Sequence, residues 1–525
     1  MVSSRSVRKR VLFYVLLLAL IGGALAFRLP RLDQRPLHTD EAVHAEKFWD
    51  LLENENYRYD FHEYHGPTLN YFTLPLAWLS SIDRYVDTTE WTLRLVCVIF
   101  GIALIVLLIA LKDALGPAAT LTAALLTAVS PAMVYYSRYY IMEILLVFFT
   151  FGVIAFGWRY FQNLKFRWAL LLGFSLGLMH ATKETFVIPI AAMLLALGTV
   201  ILWQGDTRQF LSTIRSHCRP RHIIGVLIIA VFVSILFFSS FFSNPQGPLD
   251  SLRTYATYLN RASDDTGLHN HPWHFYLHRI IYCKFAPGPF WSEGLIVFLA
   301  IIGAVAALTR KLPPAVNLFF ARFLTFYTLF MTVVYSLLPY KTPWCMLGFL
   351  HGMILLAGLG VVALLRWIPT LGLKFVTAVL LLAAGYNLAT QAHMASFRLC
   401  ADNRNPYVYA HTSTDLLNLV QRVEDIAAIH PQQHNMIIQI IAEDRDYWPL
   451  PWYLRSFDRG KIGYYNQMPE SLPASLIIIA PRFQNELEAK LKDKYHHEIF
   501  GLRPAVPLIV YIRDDLWQKF LDTRR

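Results

Sequence analysis

The amino-acid sequence predicts a polytopic α-helical membrane protein with about 11 transmembrane helices, followed by a C-terminal extracytoplasmic α/β domain. Of its 525 residues, 55% are hydrophobic and only 16% are charged, whereas about a quarter of the residues of soluble proteins are charged. Long apolar runs recur from residue 11 to residue 390, and basic residues cluster in the short segments between them. Residues 391–525 contain no such run.

The first apolar run, Val11–Phe27, follows the basic segment RSVRKR and is about long enough to span a bilayer. Its last residues, Ala24-Leu25-Ala26, also resemble a signal-peptidase site. We expect an uncleaved membrane anchor. With either interpretation, the chain from Arg28 onward emerges on the outer face of the membrane.

The remaining apolar runs have lengths that suit membrane-spanning helices. They lie at residues 92–111, 118–136, 140–158, 168–181, 186–203, 222–242, 293–309, 320–338, 344–365 and 371–390. With the amino terminus inside, the interior segments hold many basic residues and few acidic ones. These basic residues include Arg159, Lys165, Arg167, Arg219, Arg221, Arg310, Lys311 and Arg366. The positive-inside rule therefore predicts a cytoplasmic amino terminus in the plasma membrane.

The net charge, the cysteines and the location of the polar residues argue against several classes of protein. The net charge of +11 is explained by the membrane-flanking segments, so no nucleic-acid partner is expected. The five cysteines are scattered without a CxxC pair, which argues against a disulfide scaffold or a zinc site. Most unusual polar residues gather at the outer ends of helices. An ion-coupled transporter is disfavoured, because it would place ionisable groups near the bilayer midplane.

The sequence predicts two domains. A transmembrane domain covers residues 1–390, with external loops at residues 28–91 and 243–292, and a soluble extracytoplasmic domain covers residues 391–525. In this second domain, the short apolar runs NMIIQII, ASLIIIAP and PLIVYIR alternate with amphipathic helical patterns. This alternation is typical of a small α/β domain.

The first external loop contains an acidic, histidine-bearing helical pattern, LHTDEAVHAEKFWDLL. A helix that begins after Thr39 would use this threonine as its N-cap, with Asp40 and Glu41 in the first turn, where carboxylates complement the helix dipole. This purely structural role accounts for both carboxylates. The position of the helix, just outside the first span, also allows a role in chemistry at the membrane surface.

The motifs that follow carry a resemblance to a known family. The DE pair Asp40-Glu41 is followed by HGPTL at His65–Leu69 and an aromatic-rich segment. This order resembles the GT-C glycosyltransferases, in the group related to protein O-mannosyltransferases and the lipid A aminoarabinose transferase. In that group, a DE pair precedes a KPPL-like segment, and His65 stands where lysine is common.

Further motifs occur in the same order as in the family. Arg138 and Glu143 lie in YYSRYYIMEILLVFF, and Lys183 lies in a segment similar to TKG, with Glu184 replacing the glycine. Lys341 lies in SLLPYKTPWCML. That segment and DYWPLPWYLR look closest to a prokaryotic subfamily associated with flippase activity and found with archaeal N-glycosylation systems.

The resemblance implies an inverting transfer of a sugar from a polyprenyl-phosphate donor to a lipid-linked glycan, protein or lipid acceptor of the cell envelope. Such a site needs a carboxylate base and cations beside the departing phosphate. We expect Asp40 to be the base, while Glu41 and Glu143 orient Asp40, the acceptor or a bound cation. The expected substrate-binding residues are His65, Arg138, Lys183 and Lys341. Each of the last three could instead be a snorkelling interfacial anchor.

Some alternatives remain open at the level of sequence. His44, His62 and His65, with Glu41 or Glu143, could bind a divalent cation, although no HxH or HExxH spacing supports it. No other cofactor is expected. The tryptophans of WPLPWYLR could stack on a sugar, but we expect them to seat the outer domain at the membrane interface. The main functional alternative is a non-catalytic protein that handles glycan lipids for a flippase.

Overall fold

The structure is a computed structural model. It describes residues 4–53, 57–62, 65–204, 212, 217, 219–262, 269–285 and 287–524, with side chains throughout except at residues 4–6 and 258–262.

The described residues form a mostly helical membrane domain, which confirms the predicted fold class. Eight of its helical segments are long and apolar enough to cross a membrane, and three further apolar helices are shorter. The first part of the bundle consists of α1 (Ser4–Arg28), α2 (Thr39–Leu52), α3 (Thr68–Leu79), α4 (Glu90–Leu107), α5 (Lys112–Leu115), α6 (Pro117–Val129), α7 (Pro131–Tyr136), α8 (Glu143–Asn163), α9 (Phe166–His180) and α10 (Val187–Gln204).

The chain then forms the second half of the bundle and the second loop that was predicted to be external. The helices are α11 (Pro220–Phe238), α12 (Gly247–Ala262), α13 (Phe275–Ile281), α14 (Gly294–Leu308), α15 (Leu318–Leu337), α16 (Leu347–Trp367) and α17 (Leu371–His393). A short antiparallel pair, β1 (Cys283–Lys284) and β2 (Phe290–Trp291), precedes α14.

Small residues allow the closest helix contacts of the bundle. A Cβ atom added at Gly303 of α14 would overlap the carbonyl oxygen of Leu356 in α16, and one added at Gly360 would overlap that of Leu299. Glycine is therefore required at both positions for these backbones to meet. Close approach at small residues is a common way to pack helices where lipid removes the hydrophobic driving force.

The two ends of the bundle differ in character. At one end, Arg159 pairs with Asp113 at 2.8 Å, and Arg366 donates to the carbonyl of Leu312 at 3.0 Å. At the opposite end lie the first turn of α8, the segment before α10 and the loop after α15. The polar residues singled out in the sequence gather at this second end, together with α2 and α3.

The C-terminal domain has a five-stranded sheet of order β4-β3-β5-β7-β6. The strands β3, β4 and β5 run parallel, while β7 is antiparallel to β5 and β6. The predicted runs NMIIQII, ASLIIIAP and PLIVYIR supply β3, β5 and β7. The elements are α18 (Asp415–Ile429), β3 (Ile438–Ile441), α19 (Leu450–Tyr453), β4 (Ile462–Tyr465), β5 (Leu476–Ile479), α20 (Gln484–Lys490), β6 (Tyr495–Arg503), β7 (Val506–Arg513) and α21 (Asp514–Thr523).

The linker between the two domains packs against the membrane domain. A π-helical segment, Met394–Arg398, extends α17 beyond His393. After it, the Tyr407 hydroxyl donates to Glu293 at 2.9 Å, and the Tyr135 hydroxyl donates to the carbonyl of Cys400 at 2.8 Å. The predicted division of the chain at residue 390 stays a prediction.

Candidate functional site

A cavity of about 380 Å³ opens at the second end of the bundle. Five segments form its wall: the start of α2, the residue His65 ahead of α3, the first turn of α8, the segment leading into α10, and the region from the end of α15 to the start of α16. The lining residues are Asp40, Val43, His44, His65, Ile141, Glu143, Lys183, Glu184, Thr185, Ile188, Tyr335, Leu338, Pro339, Tyr340, Thr342, Trp344 and Cys345. The structure therefore brings Asp40, His65, Glu143 and Lys183 together.

The local structure at the start of α2 differs from the prediction. The helix begins at Thr39, and its N-cap is His38 rather than Thr39. The His38 Nδ1 atom accepts a hydrogen bond from the Asp40 amide at 3.0 Å, while Glu41 accepts one from the His38 amide at 3.0 Å. Because Nδ1 accepts, Nε2 carries the proton and donates to the carbonyl of Tyr409 at 3.0 Å. This capping box fixes the direction of the first turn.

Asp40 points into the cavity. Its side chain is 43% exposed, and its carboxylate lies 3.8 Å from the His38 Nδ1 atom. Among the described residues, the carboxylate accepts no hydrogen bond. Asp40 thus presents an accessible proton acceptor to any molecule that enters the cavity.

Glu41 points the opposite way, into the protein core. Arg94 binds its two carboxylate oxygens at 2.8 Å each, Arg35 donates to it at 3.0 Å, and the Tyr140 amide donates at 2.9 Å. Burial by itself would raise the pKa of Glu41, but the neighbouring Arg35 and Arg94 guanidinium groups lower it to about 2. Glu41 does not line the cavity, so it cannot contact a substrate there.

Glu143 and Lys183 form a buried ion pair in the wall of the cavity. The Lys183 Nζ atom lies 2.5 Å from Glu143 Oε1, and each side chain is less than a tenth exposed. Although burial disfavours the ammonium, the Glu143 carboxylate raises the pKa of Lys183 well above its ordinary value. Lys183 therefore keeps its positive charge inside the cavity.

A second polar pair completes the wall. The His65 Nδ1 atom lies 3.0 Å from Glu184 Oε2, and the rings of His65 and His44 are 6.3 Å apart. Burial, together with the proximity of His65, lowers the pKa of His44 to about 3, so His44 is neutral at physiological pH. Within this lining, the carboxylates of Asp40, Glu143 and Glu184 outnumber the cationic side chains.

The structure does not bring Arg138 to the cavity, and we revise its assignment. Its guanidinium donates to the carbonyls of Arg28 and Pro30 at 2.7 Å each and to that of Arg31 at 2.9 Å. The side chain thus covers the carboxyl end of α1. A guanidinium that is committed to three backbone carbonyls in the core does not reach the cavity.

The assignment of Lys341 as a substrate-binding residue is also revised, because backbone carbonyls bind its ammonium. Its Nζ atom donates to the carbonyl of His271 at 2.9 Å and to that of Leu338, and the side chain is only 1% exposed. The backbone beside it pairs with the loop before α13 through the bridge between Asn270 and Tyr340. Lys341 therefore holds this loop in place by a hydrogen bond and does not line the cavity. The neighbouring Tyr340 does line it.

The sequence interpretation missed three lining residues of chemical interest, Glu184, Tyr340 and Trp344. Glu184 carried a usable signal, because it replaces a glycine beside Lys183 in the TKE segment. Tyr340 and Trp344 lie in the SLLPYKTPWCML segment, from which only Lys341 was selected. Among the described residues, no group of three or more His, Cys, Asp or Glu side chains could hold a metal ion. The divalent cation, which the sequence left open only as an alternative, stays untested.

The C-terminal domain holds the segment that precedes Asp40. The Leu37 amide donates to the Tyr453 hydroxyl at 2.9 Å, and the Leu37 carbonyl accepts from Thr412 at 2.7 Å. The Arg503 guanidinium donates to the Thr39 hydroxyl at 3.3 Å. Both domains therefore determine where the Asp40 carboxylate lies.

One tryptophan of WPLPWYLR, Trp452, fixes the C-terminal domain to the membrane domain. Trp452 is fully buried, and its indole N–H donates to Glu90 at the start of α4 at 3.1 Å. Its edge also packs against Tyr85, with the ring centroids 5.5 Å apart. An enclosed ring of this kind has no free face for a sugar.

A helical bundle with a polar cavity at one end, topped by an α/β domain, is the architecture of a multi-pass membrane protein. Comparison with solved structures gives the particular likeness. The chain is similar to ArnT from Cupriavidus metallidurans in the apo state, with a TM-score of 0.60, 14% identity, and coverage of 98% of this chain and 99% of that one. The structure of ArnT bound to undecaprenyl phosphate matches with a TM-score of 0.60, 15% identity and coverage of 96% and 98%.

The archaeal oligosaccharyltransferase AglB from Archaeoglobus fulgidus, in complex with an inhibitory peptide and a dolichol-phosphate, is also similar. Its TM-score is 0.54 at 13% identity, with coverage of 91% of this chain and 70% of that one. At these identities, the likeness establishes the fold. The family model described as dolichyl-phosphate-mannose-protein mannosyltransferase matches residues 19–244, a part that contains Asp40, Glu143 and Lys183. None of the curated proteins matches the chain.

Proposed function

We propose that this protein is a GT-C glycosyltransferase that moves a sugar from a polyprenyl-phosphate donor to an envelope acceptor by an inverting, base-assisted mechanism. The observation that carries the proposal is the single cavity into which Asp40, Glu143 and Lys183 converge. It offers an accessible carboxylate on one side and a buried ammonium on the other. The matched family model, the undecaprenyl phosphate bound to ArnT and the dolichol-phosphate in complex with AglB support a donor of this class.

Lys183 is the proposed phosphate ligand. The donor phosphate would have to compete with Glu143 for the ammonium, because the two side chains are paired at 2.5 Å. A charge-assisted hydrogen bond from Lys183 then stabilises the negative charge that grows on the departing phosphate. His65, held by Glu184, is the second proposed substrate-binding residue.

Asp40 is the proposed general base. It accepts the proton of the acceptor hydroxyl as the oxygen attacks the anomeric carbon of the sugar. The bond from that carbon to the phosphate oxygen breaks, and the electron pair leaves with the polyprenyl phosphate on the opposite face. A phosphate leaving group needs no general acid, unlike the leaving group in a glycosidase with two carboxylates.

Glu41 and Glu143 take different roles in this proposal. Glu41 is a positioning residue, since it closes the capping box at His38 and ties the first turn of α2 to Arg94. Glu143 orients Lys183 until the donor binds. The acceptor is a lipid-linked glycan, a protein or a lipid of the envelope. The basic opposite end of the bundle favours a cavity on the outer face of the plasma membrane, with the amino terminus inside.

Replacing Asp40 by Asn tests the base. The amide keeps the size of the side chain but removes the proton acceptor, so we expect transfer to slow by about 10² to 10⁴ while donor binding is unchanged. The matched control is Asp50→Asn, which lies on the same helix and pairs with Lys47 at 3.6 Å. This control should transfer sugar at nearly the wild-type rate.

The assay uses purified protein in nanodiscs with a defined polyprenyl-phosphate sugar and envelope lipids. A wild-type rate for Asp40→Asn would exclude Asp40 as the base. A wild-type protein that binds the donor but transfers nothing, with or without added Mg²⁺ or Mn²⁺, would favour the alternative role as a flippase accessory. Loss of transfer in a chelator, with recovery on adding the metal, would support a role for a divalent cation.

A further inference from the structure

A group of buried arginines lies behind α2, away from the catalytic cavity. Arg28, Arg35, Arg94 and Arg138 are each less than a tenth exposed. Among the described residues, Glu41 is the only carboxylate that pairs with any of them. Four guanidinium groups thus share one carboxylate in the protein interior. Buried charge of a single sign is costly unless something compensates it.

Backbone carbonyls supply part of that compensation. Arg28 donates to the carbonyls of Ala128 and Thr127 at the carboxyl end of α6, at 3.0 and 2.7 Å, and Arg138 donates to the carboxyl end of α1. The negative ends of two helix dipoles therefore face two of the arginines. These partial charges do not cancel the full charge. Burial, together with the charges of Arg94 and Arg35, lowers the pKa of Arg138 to about 9, so it still carries its charge at neutral pH.

A small cavity lies within this cluster. Its volume of about 10 Å³ leaves room for one small guest. The cavity is lined by Arg31, Leu32, Arg35, Arg94, Tyr135, Arg138, Ser396 and Cys400. The lining holds four arginines and no carboxylate, so cationic side chains predominate around the cavity.

Two polar atoms of this lining have no protein partner. The Arg35 Nη1 atom and the Ser396 hydroxyl are both buried without a hydrogen bond, and their residues are 6% and 3% exposed. Each can donate a hydrogen bond. An unpaired buried donor costs free energy comparable to a lost hydrogen bond. These donors require an acceptor that the protein itself does not provide.

We propose that this cavity is a binding site for a small inorganic anion of the size of chloride. The anion would accept hydrogen bonds from Arg35 and Ser396 and balance part of the charge of Arg94 and Arg138. A water molecule could satisfy the two donors, but it would leave the charge uncompensated. A phosphate group is too large for the volume. The bound anion would link the segment between α1 and α2, which contains Arg35, with the π-helical segment after α17, which contains Ser396.

Halide exchange tests the site without any assay of sugar transfer. Thermal unfolding of the full-length protein is followed while chloride is replaced by gluconate at constant ionic strength. We expect the Tm to rise by a few degrees with chloride, on the order of 2 to 4 °C, and to saturate with concentration. Bromide should replace chloride and give an anomalous-scattering peak beside Arg35 and Ser396 in crystals.

Ser396→Val removes one donor and fills the space, so the Tm of this variant should not respond to chloride. Ser396→Ala, which removes the donor without adding volume, should weaken the response if the valine variant does not fold. The control Ser471→Ala, on the exposed surface of the α/β domain, should respond as the wild type does. No chloride-specific shift in the wild type, or a shift as large as that of the wild type in both Ser396→Val and Ser396→Ala, would mean that the cavity holds only water.

Discussion

Replacing Lys183 separates its two contributions, the ion pair with Glu143 and the proposed contact with the donor phosphate. The Lys183→Ala variant leaves the Glu143 carboxylate buried without its cation. Breaking a buried ion pair from one side costs about 3 to 5 kcal/mol of stability. Losing a charge-assisted contact to phosphate costs about 1.5 to 3 kcal/mol, which is about ten- to a hundredfold in donor affinity.

The double variant Lys183→Ala/Glu143→Gln distinguishes these effects, because it removes both charges. We expect it to recover most of the lost stability, while donor affinity stays low. Glu143→Gln alone completes the cycle and isolates the coupling between the two residues. The Arg159→Ala variant is a matched control, since it breaks the ion pair with Asp113 at the opposite end of the bundle.

Two measurements on each purified variant are sufficient: the Tm, and the affinity for a polyprenyl phosphate added to nanodiscs. Low affinity in both Lys183 variants, with stability restored only in the double variant, is the expected result. If both variants bind the lipid phosphate as the wild type does, Lys183 is only the structural partner of Glu143. The phosphate would then be bound elsewhere in the cavity.

Three further predictions follow from the geometry. Because the folded-state pKa of Glu41 is lowered from 4.5 to about 2, its contribution to stability is complete above about pH 4.5 and is lost as the pH falls toward 2. In Glu41→Gln, the acid-induced fall in Tm should therefore be smaller than in the wild type. An unchanged dependence of Tm on pH would contradict the pairing of Glu41 with the arginines. Tyr453→Phe removes the hydroxyl that accepts a hydrogen bond from the Leu37 amide, so the transfer rate should fall severalfold while donor affinity is unchanged. A loss confined to donor affinity would argue against a role of Tyr453 in positioning Asp40. Cysteines introduced at Ser212 and Ser471 should be labelled from opposite sides of the membrane, and labelling from one side would refute the threading.

Much of the fold could be predicted because membrane spans depend on local composition. A helix in lipid must satisfy its own backbone hydrogen bonds, so each span appears as an apolar run of the required length. The runs at residues 140–158 and 320–338 correspond to α8 and α15, with ends that differ by a few residues. The short strands β3 and β5 could also be predicted from local composition, because both are buried and consist almost entirely of isoleucine and leucine.

The contents of the site were only partly predictable. Order along the chain and a shared outer face were enough to select Asp40, His65, Glu143 and Lys183, which do line one cavity. The same criteria selected Lys341, which also lies at an outer helix end. The carbonyls of Leu338 and His271 enclose its ammonium, and one of these comes from a loop 70 residues away. No local pattern encodes such a contact.

The sequence by itself determined that a DE pair begins a helix outside the first span, but the tertiary structure decided which carboxylate reaches the cavity. Adjacent residues of an α-helix point about 100° apart, so Asp40 and Glu41 cannot face the same surroundings. Arg94, 53 residues away, and Arg35 draw Glu41 into the core and leave Asp40 toward the cavity. Residue type and helical period are local properties, whereas the choice between the two carboxylates depends on where distant charged groups meet in the folded chain.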